Sequence, residues 1–148
     1  MIWQERKGGN VLSGPIAQLL DRYCLPELDA GTVERFLARA PRQPETAVLF
    51  FAGDPARWPE ANDVAVILPE LLSAFAGRLR GALIARAAEA ALMPRFGVKV
   101  LPSLALVRDG QNLGVIPKMQ DWSNYIRRIE RLLEAEEADA ASVPGRSA

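Results

Sequence analysis

Two of the side chains that run most protein chemistry are nearly missing from this chain: it has no histidine, and Cys24 is its only cysteine. Without histidine, the commonest general base is absent, as are Ser–His and Cys–His nucleophiles and the most frequent transition-metal ligand. A single cysteine cannot close an internal disulfide or build a C-x-x-C redox or zinc site. Serine–lysine and carboxylate mechanisms remain formally open, but no spacing points to one. What is left is a run of carboxylates close along the chain, Asp54, Glu60, Asp63 and Glu70, with Trp58 among them. Asp63 stands ahead of a periodic apolar stretch and fits a helix N-cap. Trp58, between Pro55 and Pro59, fits a binding anchor or a plug that packs a long loop onto the helix behind it. No catalytic residue, metal site or cofactor is expected.

The elements that must carry these residues follow from periodicity. Ser13 can cap a first helix whose apolar positions Leu12, Ile16, Leu19, Leu20 and Tyr23 recur at three and four, and a short strand follows around Cys24–Leu28. A second helix places Val33, Phe36, Leu37 and Ala40 on one face and closes at Pro41. The unbroken apolar run from Ala47 to Ala52 predicts a central strand buried on both faces. After the Trp58 loop, Val64, Ile67, Leu68, Leu71, Leu72 and Phe75 predict a helix kinked by Pro69 and stopped at Gly77. A strand over 81–85 and a short helix over 88–93 come next. Asp109-Gly110 between apolar runs predicts a hairpin joining Leu104–Val107 to Leu113–Ile116. Asp121 caps a last helix with Trp122, Tyr125, Ile126, Ile129, Leu132 and Leu133 on its core face. Cys24 beside a strand start reads as a small buried hydrophobe.

Length and charge bound the rest. At 148 residues and 49% hydrophobic content the chain suits one domain with a proper core. The expected boundaries are 1–137 for that domain, including the extra N-terminal helix, and 138–148 for a disordered tail poor in groups to bury. Charges balance at 18 of each sign, so no overall field draws the chain to nucleic acid or an anionic membrane. The arginines at 35, 39, 42, 78, 80 and 86 are scattered, without interleaved aromatics, and read as surface solvation. No apolar run approaches the ~18–20 residues that cross a bilayer, and no signal-like segment opens the chain. Direct membrane insertion is not expected, and a cytoplasmic location is.

Strand, helix, strand, helix, strand, helix, hairpin, helix is the order found in thioredoxin-like domains. The stretch from Phe96 through Leu101-Pro102-Ser103 resembles the thioredoxin segment that carries a cis-proline, which places Pro102 at that position. The fold expected is therefore α/β, a thioredoxin-like three-layer α/β/α arrangement. Its mixed, largely parallel sheet ends in a C-terminal β-hairpin plus helix. Aligning Pro69 with the thioredoxin helix proline puts Ala61 and Val64 where that family has its two cysteines, so the resemblance implies a redox-inactive domain.

More narrowly, Phe51-Ala52-Gly53-Asp54-Pro55-Ala56-Arg57-Trp58-Pro59-Glu60 and Asp63 through Leu71 resemble the uptake-hydrogenase expression proteins of the HyaE/HupG group, over roughly Pro15 to Leu133. That resemblance implies a non-enzymatic maturation chaperone that needs no cofactor. Its expected client is the precursor of the nickel-iron hydrogenase small subunit, including the twin-arginine signal peptide, and another hydrogenase accessory protein is a further candidate partner. On this reading Asp54, Trp58, Glu60 and Glu70 form an acidic, aromatic-edged surface, since carboxylates suit guanidinium groups. Two alternatives stay open: a redox-inactive scaffold or self-association module, and a monothiol oxidoreductase using Cys24, which lies outside the loop–helix region.

Overall fold

The run Thr46–Phe51 is buried at every position and forms the middle strand of a five-stranded sheet in a computed structural model that describes residues 14–38 and 43–142. In chain order the elements are α1 (Pro15–Asp21), β1 (Glu27–Leu28), α2 (Val33–Leu37), β2 (Thr46–Phe51), α3 (Glu60–Ala74), β3 (Leu79–Ile84), a 3-10 turn (Arg86–Ala88), α4 (Glu89–Phe96), β4 (Ser103–Arg108), β5 (Gln111–Pro117) and α5 (Trp122–Ser142). The sheet order is β1-β3-β2-β4-β5. β3 pairs parallel with both β1 and β2, whereas β2 with β4 and β4 with β5 are antiparallel.

The sheet is therefore evenly mixed, and the expectation of a largely parallel one is corrected. β4 begins with Ser103 opposite Phe51, the last residue of β2 and at the end of the sheet where the parallel β3 also finishes. The segment between β3 and β4 thus does not carry the chain back across the sheet, which a parallel pairing requires.

Alternation along the strands splits the core in two. Val48, Phe50, Leu104, Leu106 and Ile116 face one side, where Leu19 of α1, Leu68 of α3 and Tyr125 and Ile129 of α5 cover them. Ala47, Leu49, Phe51, Ala105 and Val107 face the other, against Val33 of α2 and Leu92 and Phe96 of α4. Burying a side chain such as Leu49 or Phe50 contributes roughly 1.5–3 kcal/mol. A sheet sandwiched by helices on both faces results. Arg80 ties α2 to this frame: its guanidinium donates to the carbonyls of Phe36 and Pro44 and lies over the Phe36 ring. It is half-buried and not the solvating surface arginine expected.

The hairpin follows the Asp-Gly signal, with Arg108 opposite Gln111 and both turn residues at positive φ, Asp109 at 51° and Gly110 at 79°. Asp121 caps α5 through its Oδ1, which accepts from the Asn124 N–H at 2.9 Å. Five sequence expectations change here. Trp122, expected in the core, is 41% exposed, because it opens α5 one turn before Tyr125, the first residue of that stripe to reach the sheet. Cys24 is exposed, not buried, in the turn between α1 and β1, where its φ of 55° swings the chain out of the helix. The first strand is only Glu27–Leu28. α2 stops at Leu37, short of the expected close at Pro41, because Ala38 leaves helical geometry at ψ 77°. α5 runs on to Ser142, past 137, where the sequence reading starts a disordered tail. The rest of that tail, 143–148, lies outside the described residues, as does the Ser13 cap; α1 begins behind Gly14 with Pro15 in its first turn.

Candidate functional site

The loop leaving β2 is built around one backbone position. Gly53 has φ +78° and donates its N–H to Glu89 Oε2 at 2.8 Å. A Cβ placed there would lie 3.0 Å from Trp58 Cε3 and 3.1 Å from Leu101 Cδ1, so the Trp58 ring and Leu101 both close directly onto the Gly53 backbone. Asp54 then organises the turn. Its carbonyl accepts from the N–H groups of Arg57 and Trp58, its Oδ1 accepts from Ala56 N at 3.0 Å, and the same oxygen pairs with Arg86 at 3.1 Å. The Arg57 guanidinium lies 4.6 Å from the centre of the Trp58 ring.

That turn runs straight into α3, because Ala61 N donates to the Trp58 carbonyl. The helix accordingly starts at Glu60 with Pro59 at the cap position, and no side chain caps it. Asp63 is not the N-cap: it lies one turn inside the helix, where its charge only complements the helix dipole. Pro69 sits within α3, where it has no N–H for the Ala65 carbonyl.

On the neighbouring side the Leu101–Pro102 peptide is cis and Pro102 is buried. The Pro102 carbonyl accepts from Lys118 N at 2.7 Å, the Leu101 carbonyl from Lys118 Nζ at 3.3 Å. Lys118, at φ 63°, ends the hairpin, and its carbonyl accepts from the Tyr125 hydroxyl at 3.1 Å. Glu60 joins α3 to this turn by accepting from Met119 N at 3.4 Å and lying 3.9 Å from Lys118 Nζ. Around the junction three apolar side chains stand in solvent: Val100, Met119 and Trp122.

The four residues expected to form one acidic surface are therefore used differently. Trp58 and Glu60 meet the cis-proline segment and the Lys118–Met119 turn from two sides. Asp54 is committed to its own turn and to Arg86. Glu70 is exposed ten residues further along α3, ~15 Å away at the ordinary helical rise, and does not join them. Glu89 was not singled out from the sequence. It is 6% exposed, and burial pushes its carboxyl above the ordinary value while the hydrogen bond from Gly53 opposes the shift. The signal was present: Glu89, Leu92 and Phe96 share a helix face, so a lone acid occupies a core position. No cluster of three or more potential metal-ligating side chains occurs among the described residues, and no helix among them is long and apolar enough to cross a membrane.

Fold and site together define a mixed α/β domain in which a sheet-end loop, a helix start and a cis-proline segment converge with no cysteine among them. A family profile described as Hydrogenase-1 expression protein HyaE matches residues 16–125. The chain belongs to this family. It is 54% identical over 124 residues to the hydrogenase expression/formation protein HupG of Bradyrhizobium diazoefficiens, covering 84% of each chain. It is 46% identical over 129 residues to HoxO of Azotobacter vinelandii, another hydrogenase expression/formation protein, covering 87% of this chain and 84% of that one. A crystal structure described as a putative hydrogenase expression/formation protein, HupG from Rhodopseudomonas palustris, is 49% identical and superposes with a TM-score of 0.53 over 76% of this chain and 97% of that one.

Proposed function

We propose that this chain is a thioredoxin-like, redox-inactive accessory protein of hydrogenase formation. It acts in the cytoplasm and holds the nickel-iron hydrogenase small-subunit precursor by its twin-arginine signal region before export. The family supports the hydrogenase context. The observation that carries the binding reading is the junction itself, where exposed Val100, Met119 and Trp122 flank the cis-proline turn and Glu60 supplies a carboxylate at its rim. An extended basic segment laid across it would meet apolar anchors and one negative charge. Ala61 and Val64, at the positions aligned with the thioredoxin cysteines, are fully buried apolar residues, which supports binding without thiol chemistry.

The test is titration calorimetry with a peptide carrying the precursor's signal region. Reversing a carboxylate that faces a guanidinium typically costs at least ~2 kcal/mol, so Glu60→Lys should weaken the complex about thirtyfold, and added salt should weaken the wild type toward that value. Glu130→Lys, on exposed α5, serves as the control. Equal binding to both variants, or binding only after the signal sequence is removed, overturns the reading. Cys24→Ser should leave hydrogenase formation in the cell intact. Loss of function with the fold retained would favour the monothiol oxidoreductase.

A further inference from the structure

A separate cleft of about 360 Å³ opens at the end of the sheet where β1, β2 and β3 finish, lined in part by Ala52, Gly53 and Ile84. Ligands of open α/β sheets gather outside the carboxyl ends of parallel strands, where successive connections leave on opposite faces. Here α2 precedes β2 on one face and α3 follows it on the other. One wall is apolar, formed by Ile16, Ala17 and Leu20 of α1 with Leu83 and Pro55. The other is charged: Glu27 and Glu89 line it together with Arg86.

The charges in the cleft are only partly balanced, because Arg86 acts on Glu89 from beyond ion-pair distance. Arg86 is paired with Asp54 at 3.1 Å, and no cation among the described residues lies within ion-pair distance of Glu89. Glu89 is 6% exposed and gives Oε2 to the Gly53 N–H, yet a carboxylate offers about four acceptor directions. A largely buried carboxylate beside an apolar wall suits an amphipathic cation whose stem is hydrocarbon and whose head is a donor. Guanidinium fits better than ammonium, because it is more weakly hydrated and presents paired planar donors.

We infer that this cleft receives one arginine side chain from an extended segment of a partner polypeptide, with the stem along α1 and the guanidinium on Glu89. This goes beyond the precursor-binding reading, since neither Trp58 nor Glu60 lines the cleft and any arginine-bearing partner segment would meet the same groups. Burial raises the Glu89 carboxyl, and the arriving cation restores its charge.

The probe is the tripeptide acetyl-Ala-Arg-Ala-amide, titrated into the full isotope-labelled chain and followed by amide chemical shifts. The arginine peptide should move the Gly53, Leu83 and Glu89 amides saturably. The neutral citrulline analogue should bind roughly thirtyfold more weakly, and Glu89→Gln should weaken the arginine peptide by a similar factor. Ala17→Trp, which fills the apolar wall while keeping Glu89, should abolish the shifts. Unchanged α5 amides verify that each variant is folded. Equal binding of the citrulline peptide, unaltered affinity in both variants, tighter binding of a glutamate analogue at Arg86, or shifts confined to Val100 and Met119 would each overturn the inference. Should Glu60→Lys leave precursor binding untouched while the tripeptide still needs Glu89, the precursor reading fails and the cleft stands.

Discussion

Replacing Gly53 with alanine tests the geometry on which the junction rests. The new methyl group acts twice. At φ +78° an alanine incurs the left-handed penalty of ~1–2 kcal/mol, partly offset by ~0.4–1 kcal/mol because the unfolded chain loses freedom. Its Cβ would also stand 3.0 Å from Trp58 Cε3 and 3.1 Å from Leu101 Cδ1, against the ~3.5–4.0 Å that carbon atoms prefer. Both neighbours are held, Trp58 by its turn and Leu101 through its carbonyl, which accepts from Lys118 Nζ, so crowding adds ~1–3 kcal/mol. Gly77→Ala isolates the backbone part, since Gly77 has φ +85° and its added methyl would meet nothing within 4 Å. The expected losses are about 3 kcal/mol at Gly53 and about 1 kcal/mol at Gly77. At ~2–4 °C per kcal/mol for a chain of this size, calorimetric melts should fall by ~10 °C and ~3 °C. If the two variants melt within ~2 °C of each other, Trp58 and Leu101 do not close on Gly53 as described.

Two further outcomes check particular assignments. Asp121→Ala removes the bond to Asn124 N and should lower stability by ~1 kcal/mol in urea titrations, whereas Asp63→Ala should cost only about 0.5 kcal/mol from the helix dipole. A larger loss at Asp63 would restore it as the cap. Glu89 gives a pH signature: its folded value lies above the ordinary 4.5, so the folded chain holds the proton more tightly than the unfolded one. The stability this confers is fully present below about pH 4.5 and is lost as pH rises through the folded value. The stability of wild type relative to Glu89→Gln should therefore fall from pH 4.5 upward, and a difference that is flat across that range contradicts the burial of the carboxyl.

Where one short stretch decides its own structure, the sequence was legible. The apolar run at 47–52 has no polar position to turn outward, so it could only be an interior strand. Asp109-Gly110 sets a two-residue turn by itself, and Asp121 stands directly before a strongly periodic helix. The failures have a common origin in contacts between distant residues. Glu60 looked like part of an acidic surface, but its partners Lys118 and Met119 come from the far end of the hairpin. Asp54 is paired with Arg86 from just beyond the end of β3, and Glu89 meets Gly53 from 36 residues away. The start of α3 was misplaced because the Asp54 turn delivers the chain into the helix already wound, which makes a capping side chain unnecessary. Trp122 has the right phase for the core but lies one turn short of Tyr125, and periodicity alone does not say where a sheet ends.

The two outer strands of the sheet are unequal, and that has a bearing on how the chain behaves when concentrated. β1 contributes only Glu27 and Leu28, too short a ladder to template another chain, and Glu27 is exposed there. β5 runs from Gln111 to Pro117 and borders the sheet on the opposite side, with a register shift opposite Leu106–Val107 and a proline at its end. Those irregularities are the devices that discourage strand addition, but the stretch between them, Leu113 to Ile116, is a short uncharged segment with three apolar β-formers around Gly114. Intermolecular β-aggregation should nucleate at that stretch, and a lysine at exposed Asn112 should slow it, at the cost of the bond that the Asn112 amide donates to the Arg95 carbonyl.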